Sequence, residues 1–231
     1  MFKPPVDLIK RALEEDGAAA DITTLSTVPE GQWIDGIIIA RQAGVVAGLS
    51  IAAETFRTLD ERVAINLLVQ DGASVQAGEA LAQLSGPARA ILSAERVALN
   101  FLGRLSGIAT LTARCVHAIE GTQARILDTR KTTPGLRSLE KYAVQMGGGQ
   151  NHRFGLSDGV LIKDNHIKAA GGIAQAIVAA RRTAPHLLKI EIECETFAEV
   201  QQALEAGADV VLLDNMDLAA MQSAVEYIHQ H

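Results

Sequence analysis

From residue 124 to residue 231 the chain alternates short apolar runs with amphipathic stretches, and each apolar run ends at a charged residue. The runs read as strands over 125–128, 159–163, 189–193 and 209–213, with helices expected over 134–145, 173–182, 197–206 and 218–228. Such alternation specifies parallel strands joined by helical crossovers. Thr196, with Glu199 three residues on, has the form of a capping box ahead of Phe197, Val200, Ala203 and Leu204, so one helix start is fixed by a mechanism. Leu218, Met221, Val225 and Ile228 give the last helix an apolar stripe that must cover a sheet.

The strand ends carry the chemistry. Arg125–Asp128 runs into Thr129, Arg130 and Lys131; the second strand ends in Lys163 and Asp164, the third in Glu193, the fourth in Asp214 and Asn215. In parallel α/β barrels the active site lies at that face, so four charged ends in succession read as site residues, where one alone would equally fit loop polarity. Arg130, Lys131, His152, Arg153 and Lys163 suit anionic groups, arginine by bidentate contact and lysine as a point charge. Glu193 and Asp214 suit sugar hydroxyls or a hard divalent cation such as magnesium, which keeps its waters and bridges to substrate phosphates. Without cysteines or paired histidines among them, zinc does not fit.

Charge and composition narrow the class further. The chain has a net charge of −6, which argues against a nucleic-acid partner. Yet residues 125–168 hold eight Lys or Arg against four Asp or Glu, so the cations are gathered in one segment. No apolar run approaches the ~20 residues of a membrane span. The opening Met1-Phe2-Lys3-Pro4-Pro5, followed by acids at Asp7, Glu14 and Glu15, lacks the pattern of a signal peptide. Cys115 and Cys194 stand far apart, as structural thiols do, and a cytoplasmic setting is expected.

The first part of the chain has another texture. Val6, Ile9, Ala12 and Leu13 predict a short helix ended by Gly17, and the runs 33–41, 44–51 and 63–69 read as strands, with a tight turn at Asp71-Gly72. Asp71-Gly72, Val75, Gly78 and Leu81 resemble the turn pattern of lipoyl or biotinyl carrier domains. The chemistry rules that out: no lysine occurs between Lys10 and Lys131 to carry the cofactor. Ser85-Gly86-Pro87 starts a long helix whose glycines at 103 and 107 are expected to mark a break. The run Gly147-Gly148-Gly149, leading into Gln150, Asn151, His152 and Arg153, offers a backbone that can approach a ligand closely.

Taken together, Asp128-Thr-Arg-Lys-Thr-Thr-Pro-Gly135, Lys141–Val144, Gly147–Arg153 and Leu161-Ile-Lys-Asp-Asn-His166 resemble quinolinate phosphoribosyltransferase. Asp21–Thr24, Glu95–Asn100 and Leu105–Thr110 are similar to the same family. The resemblance implies an N-terminal α+β sandwich domain over 1–105 and a parallel α/β barrel over 106–231. It implies transfer of phosphoribose from phosphoribosyl pyrophosphate to quinolinate, with magnesium, releasing pyrophosphate and carbon dioxide and giving nicotinate mononucleotide for NAD biosynthesis. Arg130, His152, Arg153 and Lys163 would then hold the quinolinate carboxylates with Lys131 nearby, and Glu193 and Asp214 the ribose hydroxyls and magnesium. Arg96 would reach the neighbouring site of a homodimer.

The family's pattern continues beyond the position of His231 with further strands and a phosphate loop, so the resemblance implies a barrel incomplete at its C-terminal end. Three alternatives follow from the same residues. A molybdenum-associated relative shares the fold but differs at the Asn-His-Arg and Lys-Asp-Asn-His positions. A lysine-dependent aldolase would use Lys163 as a Schiff base. A catalytically inactive chain would bind quinolinate without turnover.

Overall fold

The computed structural model of the chain describes residues 4–231; Met1, Phe2 and Lys3, part of the stretch read above against a signal peptide, lie outside the described residues. Two compact units divide at His152 and Arg153.

In the first unit, helix α1 (Val6–Glu15) buries Ile9 and Leu13, the predicted stripe. Helix α2 (Ile22–Thr27) starts at Asp21, whose carboxylate accepts the Thr24 N–H at 3.0 Å. Strands β1 (Trp33–Ile39) and β2 (Gly44–Val45) follow. The sequence reading carried the second strand to Ile51, whereas helix α3 occupies Leu49–Leu59. The apolar run looked extended, but its buried residues Leu49, Ile51, Ala52, Ala53, Thr55 and Phe56 repeat at helical spacing. The Asp71 carboxylate accepts the Leu49 N–H at 2.9 Å and satisfies one of the free donors at the start of this helix.

Strands β3 (Ala64–Leu67), β4 (Ser74–Val75) and β5 (Ala80–Pro87) complete the sheets. One antiparallel sheet runs β1-β5-β3, and β2 pairs with β4. Helix α4 then spans Ala88–Ala118 without the break expected at Gly103 and Gly107. Its buried stripe, including Ala94, Val97, Ala98, Leu102, Leu105 and Ala109, runs past both glycines, and packing of that face overrides their low propensity. Hydroxyls of Ser106 and Thr110 accept the N–H groups of Ala47 (3.1 Å) and Val45 (2.9 Å), so α4 acts as a neighbour to β2. Helix α5 (Arg137–Met146) follows, buried through Leu139, Lys141 and Ala143.

The second unit alternates as predicted: β6 (Val160–Ile162), α6 (Asp164–Ala170), α7 (Ile173–Thr183), β7 (Ile190–Cys194), α8 (Phe197–Glu205), β8 (Val210–Leu213) and α9 (Leu218–Gln230). Helix α6 was not anticipated. The three strands form a parallel sheet, β6-β7-β8, with Glu193 opposite Leu212. Ile162, Ile177, Ile190, Ile192, Cys194 and Val200 form its core. The capping box forms as predicted: Thr196 Oγ1 accepts the Glu199 N–H at 3.3 Å, and the Glu199 carboxylate accepts the Thr196 N–H at 3.1 Å.

The expected barrel is not formed by the described residues. Three paired strands cannot close a cylinder that takes roughly eight. The run predicted as a strand over 125–128 contributes a single parallel bridge, Leu127 to Gln150, in the first unit.

Candidate active site

In the first unit, the segment carrying Arg130 and Lys131 is shaped by hydrogen bonds rather than by a strand. The Lys131 N–H donates to Thr129 Oγ1 at 3.0 Å, and the Thr132 N–H to the Arg130 carbonyl at 2.9 Å. Arg137, at the start of α5, braces the same turn through Thr132 Oγ1 at 3.0 Å and the Arg130 carbonyl at 3.5 Å. Below it, the Thr133 N–H donates to Glu140 at 3.1 Å, and Arg104 from α4 pairs with the same carboxylate. Burial pushes the Glu140 carboxyl up, but hydrogen bonds from Arg104 and Thr133 hold it below its ordinary range.

Within this frame the Arg130 Nε is buried with no hydrogen-bond partner among the described residues. A buried guanidinium donor left unmatched is unfavourable unless something supplies an acceptor. Lys131 is exposed. His152 is fixed through its backbone, its N–H donating to Asp128 at 2.8 Å and its carbonyl accepting from Lys141 Nζ at 3.1 Å.

The triple glycine serves packing within the first unit. A Cβ at Gly147 would lie 2.3 Å from the Ala109 carbonyl, and one at Gly149 would lie 2.8 Å from Thr112 and Val144. The glycines let the backbone lie against α4.

In the second unit, Arg153 donates to the Gly159 carbonyl at 2.9 Å, while its Nε is buried without a partner among the described residues. The loop between them is closed by Asp158, which accepts the N–H groups of Phe154 and Gly155; these hold its carboxyl below the usual aspartate range. Lys163 sits where β6 meets α6, its N–H donating to His166 Nδ1 at 2.9 Å. From there its Nζ reaches the Glu193 carboxylate on β7 at 2.7 Å. On β7, alternation buries Ile190, Ile192 and Cys194 on one face and turns Glu191 and Glu193 to the other.

Asp214 follows β8, its N–H donating to the Cys194 carbonyl at 3.0 Å. Its neighbour Asn215 has a φ of 53°, and the Asn215 amide donates to Asp214 at 3.2 Å and to Glu195 at 3.0 Å. Asparagine tolerates this left-handed geometry, which lets it brace Asp214. The structure thus joins Lys163 to Glu193 and places Asp214 at the end of the adjoining strand. Arg96 lies on the exposed side of α4.

Glu193 and Asp214 supply two carboxylates, and no group of three or more His, Cys, Asp or Glu that could hold a metal occurs among the described residues. That donor set suits a hard cation that takes its remaining ligands from elsewhere better than one held by the protein alone. No helix among the described residues is long and apolar enough to cross a membrane.

Sequence reasoning missed Lys141. In the sequence it stands only as one of the cations of residues 125–168 and as part of the Lys141–Val144 run, because a lysine in an amphipathic helix reads as surface, yet it is 1% exposed. Asp128, its partner, was read as a strand end.

Residues 21–106 match the model of the quinolinate phosphoribosyl transferase N-terminal domain, and residues 108–231 that of the C-terminal domain. The chain is 50% identical to a probable nicotinate-nucleotide pyrophosphorylase (carboxylating) of Bacillus subtilis, over 90% of this chain and 72% of that protein. It is 44% identical to the nicotinate-nucleotide pyrophosphorylase (carboxylating) of Mycobacterium leprae, over 97% of this chain and 80% of that protein. The crystal structure of NadC from Streptococcus pyogenes superposes with a TM-score of 0.92 at 41% identity, covering 96% of this chain and 79% of that one.

Proposed function

The chain belongs to the quinolinate phosphoribosyltransferase family, and from that premise we infer that it is a nicotinate-nucleotide pyrophosphorylase (carboxylating) of NAD biosynthesis. It joins quinolinate to the ribose of phosphoribosyl pyrophosphate. The observation that supports the assignment of roles is that each unit holds a buried guanidinium Nε without a partner among the described residues, Arg130 in the first and Arg153 in the second, while the second also holds Lys163 paired to Glu193.

Both substrates are polyanions, so bringing them together requires cations fixed in advance. Arg130, His152, Arg153 and Lys163 hold the two quinolinate carboxylates, with Lys131 completing the positive field. Glu193 and Asp214 hold the ribose hydroxyls. As the bond from ribose C1 to pyrophosphate lengthens, positive charge grows on the sugar, and these carboxylates oppose it at short range. The quinolinate nitrogen forms the new bond to C1 and pyrophosphate leaves with the electron pair. The ring nitrogen, now cationic, stabilises the electron pair left on the adjacent ring carbon as the carbon–carboxylate bond breaks; carbon dioxide departs and that carbon takes up a proton from solvent.

Magnesium fits the two carboxylates, and when bound it would neutralise charge on the phosphates. We keep the domain division at 105 and 106, which is supported by family matches that end at 106 and resume at 108. The barrel, a homodimer in which Arg96 serves the neighbouring site, and a cytoplasmic setting belong to the same reading. The exposure of Arg96 and the presence of two free thiols support the last two. A Schiff-base role for Lys163 finds no support, since its ammonium is engaged by Glu193.

The test is formation of nicotinate mononucleotide from quinolinate, phosphoribosyl pyrophosphate and magnesium, with nicotinate in place of quinolinate as the control. Product from quinolinate alone supports the reading. Product from nicotinate, or from neither, contradicts it.

A further inference from the structure

We propose that Lys141 is a positioning residue for quinolinate, acting through Asp128 and the backbone of His152; this rests on the function inferred above. Lys141 lies in the middle of α5, among Leu139, Glu140 and Ala143, and is 1% exposed. An ammonium in such a place must be paired. Its Nζ donates to the Asp128 carboxylate, itself 7% exposed, and at 3.1 Å to the His152 carbonyl. Asp128 in turn accepts the His152 N–H at 2.8 Å. With the Asn151 amide oriented as its surroundings require, that side chain donates to Asp128 Oδ2 at 2.7 Å and to the Lys141 carbonyl at 3.0 Å.

The result is a closed circuit. One ammonium and one carboxylate take both backbone polar groups of His152, and the same carboxylate stands two residues before Arg130. Asp128 also donates its N–H to the Gln150 carbonyl at 3.1 Å, joining the Arg130 segment to the Asn151-His152 segment from the backbone side as well. Two substrate-binding segments are thereby indexed to each other by a single buried pair.

Stability alone does not call for this arrangement. Replacing a buried ion pair by apolar side chains is often neutral or stabilising, because both charges have been taken out of water. What an apolar pair cannot do is direct an N–H and a C=O of the same residue. Orientation of His152 against Arg130 is the property that only the charged pair supplies, and small displacements of binding groups are expensive in rate.

The experiment compares the whole chain with Lys141→Met and with the double variant Asp128→Leu/Lys141→Met, measuring thermal stability and the KM for each substrate. Lys141→Met leaves Asp128 buried and alone, so it lowers the melting temperature as well as raising the KM for quinolinate. The double variant is expected to recover the melting temperature while its KM for quinolinate stays on the order of ten- to a hundredfold raised. Its KM for phosphoribosyl pyrophosphate is expected to remain near the original. Recovery of both stability and quinolinate KM in the double variant would reduce the pair to a structural device and overturn the proposal. If the double variant does not fold, Asp128→Asn, which keeps the shape and removes the charge, carries the same comparison. An unaltered quinolinate KM in that variant is again decisive against the proposal. Absence of quinolinate turnover in the unmodified chain would instead overturn the functional reading itself, and this proposal with it.

Discussion

Lys163 Nζ lies 2.7 Å from Glu193 Oε2, joining the end of β6 to the middle strand of the parallel sheet. The lysine is 44% exposed on its side chain, so solvent screens the pair and its contribution to folding is under about 1 kcal/mol. Under the proposed function its value lies in binding: an ammonium has three protons, and with one directed at Glu193 the others remain for a substrate anion. Lys163→Met should therefore leave the melting temperature nearly unchanged and reduce turnover by a factor on the order of a hundred. Thermal denaturation beside steady-state kinetics checks both halves.

Arg130 and Arg153 each carry a buried Nε without a partner among the described residues. If quinolinate carboxylates complete them, Arg130→Ala or Arg153→Ala should weaken quinolinate binding by about 1.5–3 kcal/mol, roughly ten- to a hundredfold, and phosphoribosyl pyrophosphate binding much less. Calorimetric titration with each substrate separately measures the difference. Equal weakening of both would count against these roles.

The pH dependence of stability has a defined sign at Glu140. Arg104 and Thr133 hold this carboxyl below its ordinary value of 4.5 against the opposing push of burial. Its contribution is therefore complete above 4.5 and is lost as pH falls through the lower folded value. The melting-temperature gap between the unmodified chain and Glu140→Gln should be constant near neutrality and shrink in acid. A gap that widens on acidification would refute the assignment.

Two substitutions separate packing from local signals in the second unit. Ile192 is 0% exposed at the centre of the β7 face, and Ile192→Ala should cost about 2–5 kcal/mol in a denaturant titration. Thr196→Ala removes the α8 cap and should cost about 1 kcal/mol by the same measurement.

The legibility of this chain in its sequence followed the range of the interactions. The alternation after residue 124 predicted β6, β7 and β8 with α7, α8 and α9, though not the short α6, because strand and helix periods are local signals. Thr196 and Glu199 were readable for the same reason. Helix α3 was hidden because its apolar residues follow directly on those of β2, and the cap that separates them comes from Asp71, a distant residue. The helix start read at Ser85-Gly86-Pro87 holds, since α4 begins at Ala88, but those residues also end β5 (Ala80–Pro87), the centre of the antiparallel sheet, which no local pattern announced. At the candidate site, residue type and position at strand ends pointed to Lys163, Glu193 and Asp214, of which the structure pairs the first two and sets the third at the end of the adjoining strand. Lys141 needed the coordinates, because its burial depends on Asp128 and His152 meeting it from elsewhere in the chain.

The most direct test of the account follows the carboxylate next to the ring nitrogen. Quinolinate labelled at that carboxylate is incubated with the chain, phosphoribosyl pyrophosphate and magnesium, and labelled carbon dioxide is measured against nicotinate mononucleotide. The account predicts one label released for each nucleotide formed, and none when phosphoribosyl pyrophosphate is left out. Binding of quinolinate with no release, or release without phosphoribosyl pyrophosphate, would contradict it.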